Sequence, residues 1–133
     1  KFDLDMLGAA FKPIDDDVKR HLGVSYGLQV TGVDKGKFAD AGIKKGFVIL
    51  KVNGSKIASE EDLAKVLKTA NQSPERALFI SGYYMSGRRA NYAVDLSDGE
   101  EAPYQFLTND NYRWFFEKKR NHRYFLEGFF VLV

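Results

Sequence analysis

Hydrolytic, redox and metal chemistry each need particular side chains, and this sequence supplies few of them. It contains two histidines, His21 and His122, far apart in the chain, and no serine in a GxSxG or GNSGG setting. Cysteine is absent, which excludes a disulfide framework and a Cys-ligated metal. Neither a phosphate-cradling glycine loop nor an HExxH pair occurs. The densest carboxylate group is Asp15, Asp16 and Asp17. A hard cation would need several further oxygen ligands, whereas three acids just before Val18 and Leu22 fit the first turn of a helix, where they complement the macrodipole. The expectation is a non-catalytic chain with no cofactor and no metal, in which His21 on a helix and His122 in a basic turn are surface groups.

Binding is the remaining class, and composition narrows its partners. In 133 residues, 44% are hydrophobic, enough to bury the core of one domain. Twenty Lys and Arg against 18 Asp and Glu leave a net charge of +2, too small to act as a footprint for nucleic acid or anionic lipid. No run approaches the ~18 consecutive apolar residues of a spanning helix. The chain begins at Lys1 without an initiator Met or a signal-like apolar run, and reads as a piece of something longer.

Aromatic residues divide the chain. Ten of them (Tyr104, Phe106, Tyr112, Trp114, Phe115, Phe116, Tyr124, Phe125, Phe129 and Phe130) fall after Asp98, where only two of the 12 glycines lie. Residues 1–97 are expected to form one unit, and residues 98–133 an aromatic-rich extension.

In the first unit, Leu4 to Phe11 reads as a strand ended by Pro13, and Asp15 to Leu22 as a helix stopped by Gly23. Leu28 to Val33 and Phe47 to Val52 read as strands, with a helical turn near Phe38 to Ala41 between them. Asn53-Gly54 signals a tight hairpin, because both residues tolerate positive φ. Ser59 is an N-cap for a helix through Leu63, Val66, Leu67 and Ala70. Ala77 to Tyr84 and Arg89 to Leu96 are strands joined by Met85-Ser86-Gly87, the second alternating Ala90, Tyr92, Val94 and Leu96 on one side. The sum is mainly β with two helices, an α+β domain of five or six short strands.

These segments carry a family pattern: Met6-Leu7-Gly8-Ala9, His21-Leu22-Gly23-Val24, Ala41-Gly42-Ile43-Lys44-Lys45-Gly46, Val48-Ile49-Leu50-Lys51-Val52-Asn53-Gly54, Ser59-Glu60-Glu61-Asp62-Leu63, and Gly82 through Arg89. Over residues 4–97 the sequence resembles a PDZ domain of the circularly permuted kind carried by bacterial HtrA (Do-like) serine proteases, with a final hairpin most like the second PDZ domain of the Bacteroidetes branch. Phe47 departs from the pattern, since most relatives have Asp there. The resemblance implies a small, partly open β-barrel or sandwich, location in the periplasm or cell envelope, and a parent that is a serine endopeptidase.

It also implies a site. A PDZ domain adds an extended peptide as a strand, so that backbone hydrogen bonds give affinity and side-chain pockets give specificity. By resemblance the receiving strand is Gly8, Ala9, Ala10 and Phe11, with a ligand carboxylate on the amides of Leu7, Gly8 and Ala9, made accessible by the missing side chain of Gly8. The facing helix offers Glu60, Ala64, Leu67 and Lys68, while Leu63, Val66 and Ala70 belong to the core. The expected partners are apolar peptide C-termini or unfolded segments. Glu60 stands where many PDZ domains have a hydroxyl-reading His, so no Ser or Thr preference is expected.

The extension offers two further readings. Its end, Phe129-Phe130-Val131-Leu132-Val133, is apolar and β-forming, so Val131, Leu132 and Val133 are a candidate self-ligand that would fill the molecule's own groove or a neighbour's. Trp114, Phe115, Phe116, Lys118, Lys119, Arg120, Arg123, Tyr124 and Phe125 interleave aromatics with cations, as stacking platforms for single-stranded nucleic acid or membrane anchors do. Five acids match five bases after Asp98, so neither nucleic acid nor a membrane is an expected partner.

Overall fold

The computed structural model describes residues 4–74 and 76–97. A single 3₁₀ turn, Asp5–Leu7, leads into β1 (Ala9–Pro13), followed by α1 (Asp16–Leu22), β2 (Leu28–Val33), α2 (Lys37–Ala41), β3 (Val48–Val52), β4 (Ser55–Lys56), α3 (Glu60–Asn71), β5 (Ala77–Tyr83) and β6 (Arg89–Asp95). The strands form one open antiparallel sheet in the order β1-β2-β3-β5-β6, with β4 paired to β3. This is a PDZ-like α+β arrangement.

Among the described residues three helices stand where two were expected, because the turn at Phe38 closes into a helix of its own: buried Phe38 anchors it and Gly42, at φ 91°, ends it. The first strand is also shorter than expected. Leu4 and Leu7, one 3₁₀ turn apart, are both buried in the core, and extended structure starts only after Gly8 turns the chain at φ 67°. Pro13 is the last residue of β1 rather than its terminator, a position tolerated on a strand end.

Helix α1 accounts for the three consecutive carboxylates. Asp15 caps it by accepting from the Val18 amide at 2.9 Å, Asp16 lies 3.9 Å from Lys19, and Asp17 pairs with Arg20. His21 donates from Nε2 to the Met85 carbonyl at 2.7 Å, since a carbonyl can only accept, and so ties α1 to the β5–β6 turn. Among the described residues no cluster of three or more His, Cys, Asp or Glu could hold a metal, and no helix is long and apolar enough to cross a membrane.

The hairpin at Asn53-Gly54 has φ values of 50° and 83°. Asn53 contributes more than conformation. Its side chain accepts from the Phe79 amide at 2.8 Å and donates to the Ala77 carbonyl at 3.2 Å, fixing the β3–β4 turn to β5. In α3, Ser59 accepts from the Asp62 amide, and the Asp62 carboxylate accepts from the Ala58 amide at 2.8 Å, a reciprocal cap.

The core lies between the sheet and α2 and α3, with Leu7, Leu28, Phe38, Ile49, Ile57, Leu63, Leu78 and Ile80 fully buried. Phe47, the departure from the family pattern, is one of its anchors. Its ring meets Tyr84 at 4.9 Å and Tyr92 edge-on at 5.2 Å. Room for that ring comes from Gly82, where a Cβ would stand 1.9 Å from the Val48 carbonyl oxygen and 2.9 Å from Phe47.

Two measurements check this packing. Gly82→Ala is expected to cost about 3 kcal/mol, read from urea unfolding, because the clash is with backbone that cannot rotate away. Burial, with help from the Tyr84 hydroxyl, raises the Tyr92 phenol above its ordinary pKa. Above pH ~10 the unfolded chain therefore loses this proton while the folded chain keeps it, so stability falls as pH rises. Tyr92→Phe is expected to flatten that alkaline decline in a pH series of thermal melts.

Candidate functional site

Strand β1 is an edge. Among the described residues it pairs only with β2, and the Asp34 amide donates to the Gly8 carbonyl at 2.8 Å beside the Ala9↔Val33 pair. Those flanking bonds make Ala9 and Val33 a non-hydrogen-bonded pair, which directs the Ala9 amide and carbonyl away from β2 toward the open edge. A bulge between Ala10 and Phe11 follows. Ala9 and Phe11 are half-buried on the core side, where Phe11 meets Phe38 edge-on at 5.5 Å, and Ala10 is exposed on the other.

Helix α3 packs beside β1. Between the Met6 turn and this helix lies a cleft of about 720 Å³ whose wall includes Met6, Ala64, Leu67, Lys68 and Asn71. Leu67 is 3% exposed, so it is at once cleft floor and core, and Ala64 beside it is half-buried. Charges on the rim balance: Glu61 and Asp62 stand toward the start of the helix, and Lys65 and Lys68 farther along.

The expected site residues divide into three groups. Ala64, Leu67 and Lys68 line the cleft, while Ala9, Ala10 and Phe11 form the neighbouring edge. Leu7 is fully buried beneath them, and Glu60 is exposed without being part of the cleft wall. The wall is rotated toward Glu61, Lys65 and Gln72, which continue the helical spacing of Lys68 on its other side. Met6 was legible only as part of a motif. Its contribution to the wall depends on the 3₁₀ turn, which no periodicity signals.

The loop before β1 differs from the expected carboxylate cradle. The Leu7 amide donates to the Leu4 carbonyl at 3.0 Å and the Gly8 amide to the Asp5 carbonyl at 3.1 Å. Gly8 lacks a side chain for a different reason from the one expected. A Cβ there would lie 2.2 Å from the Lys35 carbonyl oxygen and 2.9 Å from Gly36 Cα, and a Cβ on Gly36 would lie 2.7 Å from Gly8 Cα. The two glycines press backbone on backbone, with Lys35 and Gly36 against Gly8.

The extension, including Val131, Leu132 and Val133 and the cationic aromatic stretch from Trp114, lies outside the described residues, as does His122.

Strand β1 at the edge of the sheet with helix α3 packed beside it fits a family arrangement, and the sequence pattern of the PDZ domain family matches residues 6–78, more than half of the chain. The chain belongs to the PDZ domain family. Its similarity extends to the "Probable periplasmic serine endoprotease DegP-like" of Bartonella henselae, at 37% identity over 97 residues, covering 71% of this chain and 19% of the relative. The chain thus spans about a fifth of that relative's length. Among solved structures, the HtrA-type protease AlgW with decapeptide superposes with a TM-score of 0.52 at 23% identity, covering 67% of this chain and 27% of that one. That likeness is one of fold.

Substituting either glycine of the Gly8–Gly36 contact by Ala is expected to cost about 2 kcal/mol in chemical denaturation. The double variant is expected to lose less than the sum, because both changes break the same contact.

Proposed function

We propose that residues 4–97 bind extended polypeptide by strand addition on the open edge of β1, with alternate ligand side chains entering the cleft against α3. The observation that carries this reading is the outward Ala9 backbone on the edge of β1, in a domain whose α3, packed beside that strand, carries a mainly apolar cleft on Ala64, Leu67 and Met6. Apolar ligand side chains suit that floor. Family membership supports the reading, as does the decapeptide present in the structure of AlgW, part of which shares this fold.

The DegP-like relative supports placing this module in an HtrA-like serine endoprotease of the periplasm, where it would present unfolded segments to a protease domain elsewhere or hold subunits together. On this reading residues 4–97 supply recognition and no catalytic group. A second use of the same cleft is favoured by the apolar, β-forming run at 129–133: Val131, Leu132 and Val133 would occupy it as a self-ligand and make the module an assembly element.

Ala64→Phe fills the cleft from a half-buried position without opening a cavity. It is expected to weaken binding of a labelled apolar decapeptide at least tenfold in fluorescence anisotropy, with little change in the thermal midpoint. Equal affinity for both forms would place the ligand elsewhere. Tighter peptide binding after truncation at Ser97 would favour the self-ligand.

A further inference from the structure

We propose that residues 98–116, the part of the chain that follows β6, fold back over the outer face of the β5–β6 hairpin and cover it with aromatic side chains. Strand alternation defines that face. Leu78 and Ile80 of β5 and Ala90, Tyr92 and Val94 of β6 belong to the core, so the residues between them, including the direct pairs Phe79↔Ala93 and Ala77↔Asp95, point the other way. Yet Ala77 is 3% exposed and Phe79 and Ala93 each 8%. A phenylalanine on the outer side of a sheet reaches such burial only beneath other atoms. Helices α2 and α3 send Phe38, Leu63, Leu67 and Ala70 into the core on the opposite side. Helix α1 is tied to Met85 at the hairpin tip, away from the Phe79↔Ala93 pair, and buries no residue of its own. The cover at the base of the hairpin is therefore assigned to another segment.

The extension starts at that base. Lys37 Nζ donates to the Ser97 carbonyl at 2.7 Å and fixes the point from which the chain departs. Ser97 to Ala93 is about 13 Å along a strand, and the seven residues Asp98 to Tyr104 span up to about 23 Å when extended, so Tyr104 and Phe106 reach Phe79 after one reversal. Gly99 and Pro103 are turn formers placed between them. Tyr112, Trp114, Phe115 and Phe116 add further apolar surface. Charge agrees with this placement. Arg76, at φ 47° at the start of β5, donates through Nη2 to the Leu96 carbonyl at 3.4 Å, and its buried Nε meets no acceptor among the described residues. Asp98, Glu100 and Glu101 are the first acids past that point, so the acidic start of the extension meets a cation at the exit. The tether also gives this segment a high effective concentration at the face, which a free partner lacks.

The chain contains no cysteine, so a single nitroxide label can be attached to one introduced cysteine in the full 133 residues. With the label at Arg89→Cys, an exposed position on the outer face, the amides of residues 98–116 are expected to lose most of their ¹H–¹⁵N intensity. With the label at Glu61→Cys, exposed beside the α3 cleft, they are expected to keep it. Adding Phe79→Asp to the Arg89→Cys chain is expected to restore the lost intensity and to shift the emission of Trp114, the one tryptophan, to the red, while amides of α1 and α3 keep their dispersion. Intensity lost from Glu61→Cys instead, or from neither label, would overturn the proposal. Loss seen only between a labelled chain and a separate ¹⁵N chain would overturn it as well, by putting a second copy on the face. None of these outcomes depends on whether the edge of β1 binds peptide.

Discussion

The contact on which the site depends is the approach of two backbones, Gly8 against Lys35 and Gly36. It brings the start of β1 onto the loop between β2 and α2, so the edge strand, the core residue Leu7 and the helix that carries Phe38 are fixed relative to one another. No side chain takes part, and any side chain added at either glycine would collide with main chain. Close packing of this kind leaves no room for a side chain at either position.

From that contact the organisation of the site follows. The 3₁₀ turn before Gly8 buries Leu4 and Leu7 and places Met6 on the cleft wall; β1 then runs along an open edge, and α3 closes the other side with Ala64 and Leu67. On the proposed strand-addition reading, recognition would be divided between two materials. The edge would supply main-chain hydrogen bonds that are indifferent to sequence, and the cleft an apolar floor that is not. The charges beside the cleft balance, so selectivity would rest on shape and apolar fit rather than on a field.

A second dependency sits at the far end of the sheet. Phe47 stands where the family pattern has Asp, and the sequence reading expected no particular role for it. The sheet makes room through Gly82, and Tyr84 and Tyr92 close around the ring with their hydroxyls paired and the Lys44 amide donating to Tyr84. The substitution of an aromatic for a loop acid is thus absorbed by a core, with a buried phenol as its by-product.

Much of the architecture was legible in the residues themselves, because local signals there have local causes. Asp15 and Ser59 cap helices by bonding amides three residues on, Asn53-Gly54 supplies two positive φ angles, and Ala90, Tyr92 and Val94 alternate as a strand must. Of the residues expected on the groove, Ala64, Leu67 and Lys68 line a cleft together with Met6. What the sequence could not determine was the direction of two amides, the rotation of the helix wall from Glu60 toward Glu61 and Lys65, and the reason for Gly8. Gly8 is bare because Lys35 and Gly36, distant in sequence, arrive against it, and the Leu7 and Gly8 amides are taken up by a turn whose Leu4 and Leu7 are buried in a core built from later segments. Residue type records which backbone angles and burials are permitted, but the choice of contact partner is made only when the chain closes on itself.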